Sequence, residues 1–164
     1  MENKPDKIII HHTGNSSTQP QFKQSNEYHR KKFAWQSSTG YFLAYHYFIE
    51  QNGEHIQARD ELEGAPDELK HNFDGISIGL AGDFRYQLPT KAQMQTLGVI
   101  CYDIQRKHLL SIADIFLHSD FTPTECPGTN ITKTMVRAAT INAEVNTIKK
   151  IILWILEKIH LLPR

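Results

Sequence analysis

The run KIIIHH at residues 7–12 constrains this chain more than any other stretch. Its centre, Ile8–Ile10, is continuously apolar and β-branched, with no polar residue inside it to mark a solvent face. It therefore reads as a short strand buried on both sides, which requires packed layers above and below its sheet. ISIGLAG at 76–82 reads as a second buried strand, and IADIFLH at 112–118 as a third that delivers His118 to its C-terminal end.

Between these runs the pattern changes period. Residues 21–35 follow a helical spacing, with Phe22, His29 and Phe33 near one face. Thr90 and Gln93 form a capping box ahead of Met94, Leu97, Cys101, Ile104 and His108, which predicts a helix to about residue 108. The segment AYHYFIEQNGEHIQA at 44–58 carries a hairpin signature, because Asn52-Gly53 supplies the positive φ angles of a type I′ turn. Residues 13–20 and 60–75 are polar loops. Strands and helices alternate around one hairpin, so the expected fold class is α/β, a mixed central β-sheet flanked by α-helices.

Composition narrows the function classes. The 164 residues suit a single core-forming domain, and 18 basic residues balance 18 acidic ones. No general basic face is implied, so nucleic acid is not an expected partner. Two cysteines do not make a disulfide framework. Cys101 occupies a core position of its helix and reads as a small buried hydrophobe. The N-terminus has no apolar stretch of signal-peptide length, and no segment nears the roughly 20 apolar residues of a membrane span. Synthesis in the cytoplasm without a signal peptide is the expectation.

Chemistry gathers around IFLHSDFTPTECPGTN at 115–130. His118 and Cys126 are joined by a loop long enough to turn back, and imidazole with thiolate suits zinc. A catalytic zinc needs a third protein ligand. His11 and His12, at the end of the first strand, are the best-placed residues. Alternation sends them to opposite faces, and parity does not choose between them.

IIIHHTG, YHYFIEQNGEHIQARD, SIGLAGDF and HSDFTPTECPG, taken in order from about residue 7 to 130, resemble the signature blocks of the zinc-dependent N-acetylmuramoyl-L-alanine amidases of type 2. That family includes small phage endolysins and the animal peptidoglycan-recognition proteins. The resemblance implies that His11, His118 and Cys126 hold Zn2+, that Tyr45 is catalytic, and that Thr124 stands where many phage enzymes carry lysine and active animal proteins threonine. It implies hydrolysis of the amide between N-acetylmuramic acid and L-alanine of the stem peptide. Zinc would activate water and polarise the amide carbonyl, and Tyr45 and Thr124 would donate to the developing oxyanion. Asn72 matches a loop asparagine near the substrate groove.

The sequence departs from the family at several points. GAP stands at 64–66 where GAH is common, Ala44 precedes Tyr45 in place of glycine, and Ser119 follows His118 in place of arginine. Thr124 weakens the positive charge expected at the oxyanion. The alternative function is a peptidoglycan-binding module without hydrolysis, with a regulatory protein that binds another macromolecule as a third; the presence of Cys126 and Tyr45 selects the enzyme. A phage or prophage endolysin, or a close bacterial relative, would meet the wall after release or export, or act on imported fragments.

Several other residues read as structural. His46 should point away from Tyr45, Glu125 reads as a solvated loop carboxylate, and Asp120 suits orienting a loop or a metal ligand. His29, His55, His71, His108 and His160 have no partner by spacing. The expected division is an amidase domain at 1–132 and a helical extension at 133–164. NTIKKIILWILEKIHLL at 146–162 places Ile148, Ile151, Ile152, Ile155, Leu156, Ile159 and Leu162 on one amphipathic face. That face is expected to pack on the domain or on a second subunit; binding to a membrane surface or attachment to a cell-wall component are the alternatives.

Overall fold

The computed structural model describes residues 2–66 and 71–160. A five-stranded sheet runs in the order β3-β2-β4-β1-β5. Strands β1 (Lys7–His12), β4 (Gly75–Leu80), β2 (Tyr47–Ile49) and β5 (Ile115–Leu117) pair in parallel, and β3 (His55–Gln57) closes one edge antiparallel to β2. β1 is paired on both sides, to β4 over its full length and to β5 through Ile8–Ile10. Ile8, Ile9 and Ile10 are fully buried, as the unbroken apolar run requires.

Helices α2 (Lys91–His108) and α3 (Lys133–His160) cover one face. There Ile8, Ile10, Ile76 and Ile78 pack with Leu97, Cys101, Ile104 and Val136. A smaller cluster holds Leu43, Tyr45, Phe48, Ala58 and Ala81, with Phe22 of α1 (Phe22–Phe33) against it. The Thr90–Gln93 capping box forms as expected. Cys101 is fully buried, and burial pushes its thiol up to about 12, so it is inert.

Three elements differ from the sequence expectation. The hairpin is not a two-residue type I′ turn. Ile49 pairs with His55, Glu50 receives the Gly53 N–H at 2.9 Å, and only Gly53 takes positive φ (+88°). This is the three-residue connection with glycine in the left-handed position. The strand predicted over 112–118 keeps only Ile115–Leu117. Ser111 and Asp114 cap each other's backbone and wind 112–114 into a 3₁₀ turn, and His118 opens another. Ala44, Tyr45 and His46 form a bend before β2, so strand alternation does not govern them.

α3 changes environment along its length. Val136, Thr140 and Ala143 are buried, and a Cβ on Gly98 would lie 2.3 Å from the Ala139 carbonyl oxygen, so glycine there lets α2 and α3 touch backbone to backbone. From Val145 onward the apolar residues are 41–61 % exposed. Of the expected face, Leu162 and the side chain of Ile159 lie outside the described residues. No helix among the described residues is long and apolar enough to cross a membrane.

Candidate active site

The site lies at the end of the sheet where the parallel strands finish. β1 ends on His11 and His12, and β5, paired beside it, releases His118 from its last residue. The loop after His118 returns Cys126 to β1. The Ser119 N–H donates to the Cys126 carbonyl at 3.0 Å, and the His12 N–H donates to Cys126 Sγ at 3.4 Å.

Gly128 anchors the far side of this loop. Its φ is +97°, and a Cβ would come within 2.3 Å of the Phe84 carbonyl carbon, so any side chain would push the strap off the sheet. Asn130 N–H donates to Phe84 O at 2.9 Å. Arg85 adds a charged clasp, reaching Asp83 at 2.7 Å and Glu125 at 2.8 Å. Hydrogen bonding to Arg85 holds the buried Asp83 carboxyl below its usual range. Glu125 is thus an exposed partner of Arg85, in keeping with the reading of it as a loop carboxylate.

The result brings one ligand atom from each of His11, His118 and Cys126 to within 4.8 Å of one another. The His11 and His118 ring centroids are 4.5 Å apart, and His11 Nδ1 is 3.8 Å from Cys126 Sγ. Burial raises the thiol pKa, but hydrogen bonds with His11 and His118 outweigh it and bring the group down to about 6. A thiolate beside two imidazoles is the donor set that zinc accepts, with one position left over in a tetrahedral site.

His12 turns elsewhere. Its Nδ1 accepts the Phe84 N–H at 3.2 Å, and its ring lies 6.0 Å from that of Phe84. Burial is the main reason its pKa falls to about 4, so it is a neutral acceptor fixing the start of the Phe84–Arg85 segment. Of the two adjacent histidines, tertiary packing directs only His11 into the cluster.

Tyr45 lies 5.0 Å from His11 ring to ring, and its hydroxyl donates to the His12 carbonyl at 3.4 Å. Gly79, paired with His11 across β1 and β4, makes this position available: a Cβ there would sit 2.1 Å from the Tyr45 ring. His29 of α1 backs the tyrosine edge-on at 5.2 Å and accepts the Ala44 N–H at 3.2 Å. Sequence spacing gave His29 no partner. Its helical position facing Phe22 and Phe33 was the available signal.

α1 forms one wall of a cavity of about 390 Å³, lined by the three clustered residues, Tyr45, Tyr28 and Lys32 among others. The buried Glu50 carboxylate receives the Gln21 and Phe22 N–H groups at 2.8–3.0 Å and so holds the N-terminus of α1.

Other expected residues fall outside this cavity. Thr124 Oγ1 accepts the Cys126 N–H at 3.2 Å, and Thr124 is not among the lining residues. Asn72 lies in the turn before β4, its carbonyl accepting the Ala65 N–H at 2.9 Å, also outside the lining. His46 is fully buried, with Nδ1 accepting the Ser77 N–H at 3.0 Å, a packing role. His108 meets the buried Glu61 at 2.8 Å, and His71 meets Asp74 at 3.1 Å; His55 is exposed. Asp120 caps the Leu117 N–H at 2.8 Å and pairs with Lys133.

Known proteins place this geometry. The chain is 26% identical over 130 residues to peptidoglycan-recognition protein SC2 of Drosophila simulans, covering 75% of this chain and 68% of that protein. The N-acetylmuramoyl-L-alanine amidase LysC of Clostridium intestinale URNW superposes with a TM-score of 0.72 at 26% identity, over 85% of this chain and 87% of that one. The Ph2119 endolysin from a Thermus scotoductus bacteriophage shares the fold, with a TM-score of 0.70 at 20% identity over 84% and 85% of the two chains. The sequence model for N-acetylmuramoyl-L-alanine amidases matches residues 1–129, which include all five strands, and the chain belongs to that family.

Proposed function

We propose that this protein is a zinc-dependent hydrolase that cuts the amide between N-acetylmuramic acid and the L-alanine of the peptidoglycan stem peptide. The observation that carries the reading is the convergence of His11, His118 and Cys126 beside Tyr45 in one cavity. His11, His118 and Cys126 would hold zinc, which would supply a Lewis acid and lower the pKa of a bound water.

The chain's own residues do the rest. Cys126, with a thiol pKa of about 6, is available as thiolate at neutral pH. The His12 N–H at 3.4 Å orients its sulfur. Tyr45, held between His11 and His29, donates a hydrogen bond from its hydroxyl to the amide oxygen as charge develops there. The α1 wall aligns the stem peptide, with Lys32 offering a cation to its carboxylates. Thr124 Oγ1 accepts the Cys126 N–H and so steadies the backbone that carries the thiolate, while its O–H stays available to donate to the oxyanion. Asn72 is a substrate contact only beyond the cavity as it stands. The natural setting of such an activity is wall degradation by an endolysin, acting on intact peptidoglycan or on muropeptides.

The test is product analysis. Zinc-loaded protein incubated with defined muropeptides should release a stem peptide with free N-terminal L-alanine, identified by mass spectrometry. Cys126→Ser should lower zinc content and reduce the rate by at least about 100-fold, beyond what loss of a residue supporting a metal ligand costs. Retained muropeptide binding with no amide cleavage in the zinc-loaded wild type would assign the protein to recognition instead.

A further inference from the structure

The outer half of α3 carries a second apolar stripe with a spacing of its own. Ile141, Val145, Ile148, Ile152 and Ile155 follow one another at intervals of four, three, four and three residues, and the sequence continues the pattern at Ile159 and Leu162. This is the heptad alternation of a coiled-coil seam. All five described residues are exposed, from 41 to 51 %. The stripe is not an extension of the surface that binds the domain. Ile141 is roughly 140° around the helix from Val136, given about 100° per residue, whereas Val136, Thr140 and Ala143 make the buried face. The helix is therefore apolar on two sides from its third turn onward, and the domain uses one of them.

We propose that this stripe is the seam of a parallel coiled coil formed with further copies of the same chain. Val145 and Ile152 take one core position of the heptad, and Ile141, Ile148 and Ile155 the other. In a parallel assembly, the residue just before each first core position faces the residue five further along in the next copy. Glu144 then meets Lys149 of its neighbour, and Ile151 meets Leu156. Opposite charges and apolar residues pair without a mismatch. Residues 144, 149, 151 and 156 are all exposed, and this arrangement uses each of them. β-Branched residues at both core positions, isoleucine at all but Val145, with apolar Ile151 and Leu156 widening the seam, favour three strands over two. The domain lies on the opposite side of the helix and so faces outward from such a bundle. An anionic bilayer would attract Lys149, Lys150 and Lys158 but repel Glu144 and Glu157, whereas the assembly pairs Glu144 with Lys149. The inference does not depend on what the domain hydrolyses.

Sedimentation equilibrium of the full chain over a range of concentrations tests it. The expected mass exceeds that of one chain and reaches three chains at saturation. Ile148→Asp with Ile152→Asp should return the mass to one chain while leaving the far-ultraviolet circular dichroism of the dilute protein unchanged, since both residues are exposed. Glu144→Lys or Lys149→Glu alone should weaken association by about tenfold, as expected for losing one exposed ion pair per neighbouring pair of helices; the two together should restore it. A single-chain mass at every concentration overturns the proposal, as does a charge exchange that fails to restore association. Monomeric wild type that pellets with phosphatidylglycerol–phosphatidylcholine vesicles, and no longer does so with the two aspartates, assigns the stripe to a membrane surface instead.

Discussion

β1 and the outer half of α3 are built from nearly the same residues and meet opposite fates. Ile8, Ile9 and Ile10 are fully buried, whereas Ile151, Ile152, Leu153, Trp154, Ile155 and Leu156 are 43–61 % exposed. The difference lies in where each element finds its backbone partners. A strand has none of its own, so β1 exists only because β4 and β5 pair with it, and the layers on that sheet bury its side chains as a consequence. A helix satisfies its interior N–H and C=O groups internally, so α3 can extend past the domain with its apolar side chains exposed. An apolar strand reports its own burial. An apolar helix reports only that something has yet to cover it.

The contrast can be broken by substitution. Ile10→Ala, in β1 one residue before His11, should cost about 2–5 kcal/mol of folding stability, read from urea unfolding; a loss below 1 kcal/mol would mean that β1 is not the keystone its burial suggests. Next comes the pH response of His12, which ends that strand. Its folded pKa of about 4 lies below the unfolded value of 6.5, so the unfolded chain binds more protons between the two. Stability should therefore fall as pH drops through that window, by on the order of 3 kcal/mol in the metal-free protein. His12→Gln, which keeps an acceptor for the Phe84 N–H, should flatten the slope.

Gly79→Ala comes third. The added methyl meets the Tyr45 ring, and overpacking of this kind costs about 1–3 kcal/mol. Amidase activity should fall further than stability does, because the ring beside His11 is what moves. The smallest effect belongs to the helix. Ile152→Ala, measured where the chain is a single copy, should change the folding stability by no more than about 0.5 kcal/mol. A larger loss would mean that the outer helix packs on its own domain.

Much of the site was legible because its blocks carry local meaning. KIIIHH fixes a buried strand ending in two histidines, and the His118 to Cys126 interval fixes a loop that can return. The Asn52-Gly53 turn was legible as a hairpin but not as its type, because Glu50 and Glu54 pair one step outside the expected register. The strand over 112–118 was legible but drawn too long, because reciprocal bonds between Ser111 and Asp114 outweigh the β-propensity around them. The contacts of His29, Gly79 and Arg85 were not foreseen for a common reason: each acts on a residue from a different element, and no spacing along the chain encodes that contact.

By itself the sequence determined the elements, their apolar faces and the residue types able to hold a metal, since propensity, periodicity and donor chemistry are local properties. Tertiary structure alone decided which of His11 and His12 enters the cluster, where the Tyr45 ring can lie, and which of the two apolar sides of α3 the domain covers. Those outcomes depend on the packing of segments distant in the chain. Alternation along β1 separates the two histidines, but only Phe84, Gly79 and the returning Cys126 loop give one side a use the other lacks.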